Sequence, residues 1–260
     1  MIPTSVKEVQ ALGWDYIDVI FFTGDAFIDH PSFGTAVIAR WLQKFGYRVA
    51  VVPQPNWRDD LRDFRKLGAP RLYFAVNAGA MDSMVNHYTA SKRLRSDDAY
   101  TPEGRAGARP DYAVTVYTKI LKQLWPDIPV VIGGIEASLR RLTHYDYWQD
   151  RLLPSVLVSS GADWLCYGMG ERTMIELTRA IEAGRNISDI RKIPQIGFYC
   201  DGKCRTRDAV FLHSYENCLK DKKAFAQNFH LIETYANMMH PPVIVGPVGK
   251  GYVQINPTLP

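Results

Sequence analysis

Short apolar segments alternate with amphipathic segments over the first 184 residues, and this alternation constrains the fold more than any other feature. The apolar segments predict buried strands at 17–22, 47–52, 71–76, 129–132 and 163–167, with a further short strand at 155–158. The amphipathic segments have the apolar spacing of one helix face and predict helices at 31–45, 112–124 and 171–183. Strands that alternate with helices pair in parallel through right-handed crossovers, so the pattern predicts an α/β domain.

The most economical arrangement of these strands is a doubly wound, flavodoxin-like (Rossmann-like) parallel sheet with helices on both faces. In the strand order 2-1-3-4-5, ligands bind beyond the carboxyl ends of the strands, where the order reverses. The loops that flank this point are TGDAFIDHPSFG at 23–34 and the long segment 77–111. Loops as long as 77–111 are either functional or disordered, and both interpretations stay open.

The alternation stops near residue 184, so we divide the chain into an α/β domain, 1–184, and a C-terminal appendage, 185–260. The appendage is predicted to contain a hairpin with an Asp-Gly turn, one long helix and an extended linker, at 197–206, 216–237 and 252–260. Because the extended end packs no pattern of its own, we expect it to lead toward a further domain.

Charge and hydropathy exclude two kinds of partner. The 260 residues include 31 basic and 27 acidic ones, and a net charge of +4 with interspersed signs is too mild for nucleic-acid binding. No apolar run approaches the ~20 residues of a membrane-spanning helix, and the N-terminus has no signal-peptide core. Four cysteines are too few for a disulfide framework. We therefore expect a cytoplasmic protein that binds neither nucleic acid nor membranes.

The loop 23–34 places two acids, a histidine and two glycines at a strand-to-helix crossing. Gly24 frees the backbone, and the following helix directs amide donors toward the opening, which favours phosphate, carboxylate or amide-rich ligands. Asp25 and Asp29 would repel a bare phosphate, and His30 has a side chain that can ligate a metal ion. The alternative is that Asp29 caps the helix and His30 merely precedes a proline.

Glycine-rich turns follow two later strands. Gly133 and Gly134 either let the backbone approach a ligand closely or form a tight turn. Glu136 lies just inside the next helix, where the helix dipole stabilises an acid in either case. Gly168 and Gly170 belong to a Gly-x-Gly-Glu turn, which lacks the glycine spacing and the Lys-Ser/Thr pair of a phosphate loop.

Cys200 and Cys204 resemble half of an iron–sulfur motif. A [4Fe–4S] cluster with an open iron needs three closely placed thiolates, and Cys218 follows only fourteen residues later. The sequence also lacks a Gly-x-Ser-x-Gly elbow and a His-Glu-x-x-His helix. We therefore predict neither a catalytic set nor a metal centre in this chain.

Four long blocks together resemble the N-terminal region of YgiQ-type radical SAM proteins: TGDAFIDHPSFG, VNAGAMDSMVNHYTASKRLRSDDAYTPEGRAGARPD, VVIGGIEASLRRLTHYDYW and YGMGER. They occur in the family's order and, with INPTLP, cover essentially the whole chain. The resemblance implies that a radical SAM barrel follows, whose CxxxCxxC triplet binds a [4Fe–4S] cluster that cleaves S-adenosylmethionine. The chain has no such triplet, so it is expected to be an N-terminal fragment or a stand-alone version that stops before the barrel.

The region is also similar to the cobalamin-binding domains that precede many radical SAM barrels. Gly133-Gly134 and the turn Gly168-Met169-Gly170-Glu171 match the glycine pattern of those domains, and the loop containing Asn77 and Gly79 lies where their second corrinoid-contacting loop would be. The resemblance therefore implies that this chain binds cobalamin, while the [4Fe–4S] cluster and S-adenosylmethionine belong to the absent barrel.

The first loop departs from the pattern of cobalamin-binding domains. Base-off domains carry Asp-x-His-x-x-Gly, and the histidine ligates cobalt. Here Asp29 and His30 are adjacent and Gly34 lies four residues after His30, so both intervals differ by one residue. The resemblance therefore leaves base-off binding without a protein ligand to cobalt as the alternative to ligation by His30.

We predict that the chain holds a corrinoid or a substrate above the S-adenosylmethionine site of its partner, the radical SAM barrel. The predicted cofactor-binding residues lie at strand carboxyl ends and are Asp25, Asp29, His30, Asn77, Gly79, Gly133, Gly134, Glu136, Gly168 and Gly170. The alternative is a cofactor-free domain that docks a substrate or the barrel through 77–111 and the aromatic HYDYW segment. A third hypothesis, an enzyme complete in this chain, lacks a catalytic set.

Overall fold

The structure is a computed structural model that describes residues 1–204, 206 and 208–258. Its strands are β1 (Val19–Thr23), β2 (Val49–Pro53), β3 (Tyr73–Asn77), β4 (Val130–Ile132), β5 (His144–Asp146), β6 (Arg151–Leu153), β7 (Trp164–Cys166), β8 (Ile196–Asp201), β9 (Val210–Phe211), β10 (Ile244–Val248) and β11 (Gly251–Ile255). Its helices are α1 (Val6–Ala11), α2 (Gly34–Lys44), α3 (Arg62–Arg65), α4 (Ser83–His87), α5 (Ala113–Leu124), α6 (Gly134–Leu139), α7 (Val156–Ser160), α8 (Glu171–Glu182), α9 (Ile187–Ile190), α10 (Tyr215–Lys220) and α11 (Lys222–Ala236).

Five parallel strands form the sheet that the sequence predicts. Strand β1 pairs with β2 on one side and β3 on the other, and β4 and β7 follow, which is the order β2-β1-β3-β4-β7. Thr23 is in register with both Pro53 and Asn77, so the central strands end at one level. The prediction of a doubly wound, flavodoxin-like α/β sheet is confirmed.

Two apolar cores cover the two faces of this sheet. Phe22 and Phe74 belong to the core under α5, whereas Phe21 and Ala75 belong to the core under α2 and α8. All of β1 is buried, which explains why its sequence is a continuous apolar run. Each fully buried phenylalanine contributes about 1.5–3 kcal/mol, and these cores therefore fix the sheet under the loops at its carboxyl edge.

The C-terminal segment extends the same sheet instead of forming separate elements. Strand β8 runs antiparallel to β7 and pairs on its other side with β11, after which β10 and β9 complete a nine-stranded sheet. The predicted hairpin at 197–206 is wrong, because Cys200 pairs with Tyr252 and not with residues just beyond the Asp-Gly turn. Arg205, within the predicted hairpin, lies outside the described residues.

The predicted extended linker at 252–260 is also wrong over residues 252–255, which belong to the sheet. Gly251–Ile255 is a fully buried strand between β8 and β10. Leu259 and Pro260 lie outside the described residues. The division of the chain at residue 184 stays a prediction.

Local capping explains two further differences from the predicted elements. The predicted strand at 155–158 is the helix α7, because the Ser155 side chain accepts a hydrogen bond from Leu157 N and caps it. The predicted helix 216–237 is two helices, because Asp221 adopts an extended backbone and caps α11. Within the described residues, no helix is long and apolar enough to cross a membrane.

Candidate functional site

A cleft of about 340 Å³ opens at the carboxyl ends of the parallel strands, between α2 and α8. It lies beside the β1–β3 junction, where the strand order reverses. Its sheet-side wall is apolar and consists of Phe21, Ala75, Val76, Val131, Ile132 and Cys166. Helices α2 and α8 add the apolar side chains Val37, Ile38 and Met174. The cleft is therefore an apolar slot of the size that holds part of a small molecule.

The rim of the cleft consists largely of backbone. Gly79, Gly133, Gly134, Gly168 and Gly170 all line it. Gly134 has a φ of +78°, and a Cβ there would meet the Asn77 Cβ at 3.3 Å. Because these positions carry no side chain, a flat ligand can approach the strand ends closely.

Asn77 closes the end of β3 in a fixed orientation. Its Oδ1 accepts hydrogen bonds from Thr23 Oγ1 at 2.8 Å and from the Gly79 backbone N at 2.9 Å. Its Nδ2 donates to Thr35 Oγ1 at 3.1 Å. The amide therefore joins β1, β3 and the first turn of α2, and it sets the position of one side of the rim.

The structure brings six of the ten predicted cofactor-binding residues together around this cleft. These are Asn77, Gly79, Gly133, Gly134, Gly168 and Gly170. The remaining four, which are all ionisable, do not line it: Asp25, Asp29, His30 and Glu136. The prediction that these four residues line the pocket is therefore wrong for this cleft. The cofactor-binding role of the six that line the cleft stays a prediction.

Asp25 is a buried carboxylate that holds two loops together. Its Oδ2 accepts a hydrogen bond from Ala80 N at 2.6 Å, and its Oδ1 lies 2.8 Å from Arg109 Nη2. Arg109 is fully buried, lies 3.0 Å from Asp98 and donates to Ala78 O at 2.8 Å. Burial raises the pKa of Asp25, although Arg109 opposes this shift. Sequence reasoning missed Arg109, because nothing local indicates that a residue so far from Asp25 is its partner.

Asp29 and His30 lie on the exposed part of the first loop. Asp29 forms an ion pair with Arg40 of α2, and His30 Nδ1 accepts a hydrogen bond from Ser32 N at 3.2 Å. The alternative prediction of an Asp29 cap is also wrong, because α2 begins at Gly34 without a side-chain cap. Within the described residues, no group of three or more His, Cys, Asp or Glu side chains is placed to hold a metal ion.

Glu136 is buried between three helices. One carboxylate oxygen accepts from Ser83 N at 2.9 Å and from the Ser83 hydroxyl, and the other accepts from Val114 N at 2.9 Å. Burial raises the pKa of Glu136, and the neighbouring Asp82 adds to the shift while Arg140 opposes it. The residue therefore joins α6 to α4 and α5 below the rim.

We expect the cost of Glu136→Gln to depend on pH. The pKa of Glu136 in the folded state is raised above its ordinary value of 4.5, so the folded protein holds this proton more tightly than the unfolded chain does. The protonated carboxyl therefore stabilises the fold at low pH, and this stabilisation is lost as pH rises through the folded pKa. The wild-type advantage over the variant should therefore shrink as pH rises above about 4.5, by at most about 1.4 kcal/mol per pH unit. Urea unfolding of both proteins between pH 5 and 8 measures this difference, and a widening gap would contradict the assignment.

A model of the family described as Radical SAM N-terminal matches residues 1–260. The chain belongs to the radical SAM N-terminal family. Among the relatives of this radical SAM N-terminal chain, a UPF0313 protein of Porphyromonas gingivalis is 57% identical over 264 residues, covering 100% of this chain and 41% of the relative. The UPF0313 protein YgiQ of Escherichia coli is 53% identical over 192 residues, covering 74% of this chain and 26% of the relative. The resemblance to YgiQ-type proteins is therefore confirmed, and the chain spans less than half the length of these relatives.

Solved structures also resemble the radical SAM N-terminal chain in part. One is the radical S-adenosylmethionine methyltransferase TsrM from Kitasatospora setae with cobalamin and a [4Fe-4S] cluster bound. The two are 19% identical with a TM-score of 0.45, and the match covers 70% of this chain and 27% of TsrM.

Proposed function

We propose that this radical SAM N-terminal chain binds a corrinoid and presents it to a radical SAM domain in another part of the full-length protein. The main support for this proposal is the apolar, glycine-rimmed cleft at the carboxyl ends of the strands, where the strand order reverses. In this proposal the apolar side chains of α2 and α8 that line the slot, together with the glycine turns at its rim, would hold the corrinoid.

The residues of the cleft fit the apolar end of a corrinoid better than they fit its cobalt. The wall is apolar, and Gly134 and Gly168 line the opening without adding a side chain to it. No histidine occurs among the described residues that line the cleft. The residues that line this cleft would therefore hold a corrinoid without supplying a histidine to its cobalt.

The residues of this chain would bind and orient the cofactor without reacting themselves. A bound corrinoid supplies a cobalt centre that can carry a methyl group. Val37 and Met174 would exclude water from the two sides of the slot, and Asn77 would hold the rim in one orientation. Chemistry at the radical SAM cluster belongs to the rest of the full-length protein.

Gly34→Leu is expected to weaken hydroxocobalamin binding at least tenfold, which corresponds to about 1.4 kcal/mol. Gly34 starts α2 and lines the cleft, and a Cβ at this position would meet no atom within 4 Å. Leucine is therefore accommodated without backbone strain and occupies the mouth of the cleft. The measurement is an absorbance titration of the 260-residue chain, together with colour retained after desalting.

Lys44→Leu is the matched control for this titration. Lys44 is an exposed residue at the other end of α2 and does not line the cleft, so this variant should bind like the wild type. If the wild type neither changes the spectrum nor retains colour, the corrinoid proposal is wrong and the cofactor-free docking hypothesis gains support. If Gly34→Leu binds as tightly as Lys44→Leu, the corrinoid does not use this cleft.

A further inference from the structure

Strand β11 brings the chain out at the edge of the sheet where the glycine-rimmed cleft opens. Strands β7 and β11 both run antiparallel to β8, so they run parallel to each other. The carboxyl end of β11 therefore lies at the same edge as the carboxyl ends of β1, β3, β4 and β7. Residues 256–258 follow β11 without entering another element, so the polypeptide beyond them in a longer protein begins at this edge.

Hydrogen bonds hold this exit of the chain in one place. The Gln195 backbone N donates to Pro257 O at 2.9 Å, and Tyr167 Oη donates to the carbonyl oxygen of the buried Asn256. The side chain of the same Gln195 donates through Nε2 to Tyr167 O at 2.6 Å and to Met169 O at 2.7 Å. The exit is therefore attached to the turn between β7 and α8, which forms part of the rim of the cleft.

Exposed apolar side chains lie beside this exit. Ile135 and Leu139 are 44% and 59% exposed and, being four residues apart, they share one side of α6. Gly168 N donates to Ser138 Oγ at 3.2 Å, which places α6 next to the turn between β7 and α8. Met169 in that turn is 84% exposed. Single exposed apolar residues are ordinary, but neighbouring ones mark an interaction surface, and we call Ile135, Leu139 and Met169 the exit face.

The size of the exit face favours a tethered occupant over a separate molecule. The chain covers 41% of the Porphyromonas gingivalis relative, so more than half of that relative lies outside the match. A domain attached just beyond residue 258 would be present at this face at an effective concentration of millimolar order, so a small apolar surface is enough to hold it. Stable association between separate molecules needs roughly 800 Å² per partner, which three side chains do not supply. A second copy of this chain is therefore the weaker candidate.

We propose that the exit face is the surface on which the polypeptide that follows residue 258 of the full-length protein docks. The docked part would present apolar side chains to Ile135 and Leu139 and would cover the turn that contains Met169. Since Met169 also lines the cleft, the docked part would face the opening of the cleft. This docking deepens the proposed function and rests on its premise that a further domain belongs to the same full-length protein, but it needs no corrinoid.

Leu139→Met and Leu219→Met form a matched pair of reporters for this docking. Leu219 is 54% exposed and lies on α10, another six-residue helix. Glu216 of α10 accepts a hydrogen bond from Gly249 N in the turn between β10 and β11, so α10 lies toward the opposite edge of the sheet. The exchange of leucine for methionine nearly conserves volume, so both variants should fold. Neither leucine lines the cleft, so a corrinoid held in the cleft does not decide the result.

Hydroxyl-radical footprinting read by mass spectrometry measures the exposure of the introduced methionines in the 260-residue chain and in the full-length protein, without added corrinoid. We expect the methionine of Leu139→Met to be oxidised at least about fivefold more slowly in the full-length protein, because docking buries the core of an interface. The methionine of Leu219→Met should react alike in both proteins.

Three results would overturn the docking proposal. The first is equal oxidation of Leu139→Met in the two proteins, and the second is equal protection of the two reporters in the full-length protein. The third is protection of Leu139→Met in the 260-residue chain that rises with its concentration, which would assign the exit face to a second copy. Loss of the docking proposal would leave the hydroxocobalamin titration unaffected, so the two proposals fail separately.

Discussion

Replacing Arg109 with methionine is expected to lower the free energy of unfolding by about 3–5 kcal/mol. The guanidinium is fully buried between the carboxylates of Asp25 and Asp98, at 2.8 Å and 3.0 Å. Without it, two buried acids would remain close together with no cation, and Ala78 O would lose its donor. The substitution therefore removes the cation that pairs the long segment with Asp25 of the first loop, together with the hydrogen bonds that Arg109 donates within the long segment.

Urea unfolding of Arg109→Met against the wild type measures this loss. Arg40→Met is the control, because it removes an ion pair with Asp29 at the surface and should cost less than about 1 kcal/mol. Adding Asp98→Asn to Arg109→Met should restore part of the stability, since one of the two unbalanced charges is then absent. Equal losses of stability in the two arginine variants would contradict the placement of Arg109 as a buried cation between Asp25 and Asp98.

Gly79→Ala is expected to cost at least about 3 kcal/mol of folding free energy, since it combines backbone strain with overlap. Gly79 has a φ of +108°, which side-chain-bearing residues rarely adopt, and a Cβ at this position would overlap the carboxylate of Asp25. Asp25 cannot move away easily, because Ala80 N donates a hydrogen bond to its Oδ2 and its Oδ1 forms an ion pair with the buried Arg109. Glycine is therefore required at position 79, because the carboxylate of Asp25 occupies the space that a Cβ would need.

Gly68→Ala separates the two causes of this loss. Gly68 also has a positive φ, +73°, but a Cβ there would have no neighbour within 4 Å. It should therefore cost only the backbone strain, about 1–2 kcal/mol. The difference between the two variants in chemical unfolding reports the overlap with Asp25. If both variants lose the same free energy, Asp25 yields to a side chain at Gly79 and does not fix the rim.

The parallel half of the fold could be predicted because its signals are local. Strands β1 and β3 are apolar over nearly their whole length, and helices α2, α5 and α8 each have one apolar face. The antiparallel half could not, because Cys200 and Tyr252 are partners across about fifty intervening residues. A short apolar segment shows that it is buried, but its sequence does not identify the strand beside which it lies.

The residues of the candidate site also fall into two groups, those that local sequence predicts and those that depend on distant partners. The glycines of the rim could be predicted, because a glycine after a strand indicates a turn whatever the distant residues are. Asp25 and Glu136 looked like ligand contacts, since their partners, Arg109 and Ser83, lie on other segments of the chain. An acid that is neutralised by a distant cation or by backbone donors cannot be distinguished, from sequence alone, from one that faces a ligand.

The position of β11 has a consequence for how the chain is made. Within the described strands, β9 and β10 join the sheet only through β11, although β11 comes after both in the chain. During synthesis, one edge of β8 therefore has no partner strand until Gly251–Ile255 has left the ribosome. Open strand edges pair readily with other chains, so this unpaired edge exposes the nascent protein to aggregation during that interval.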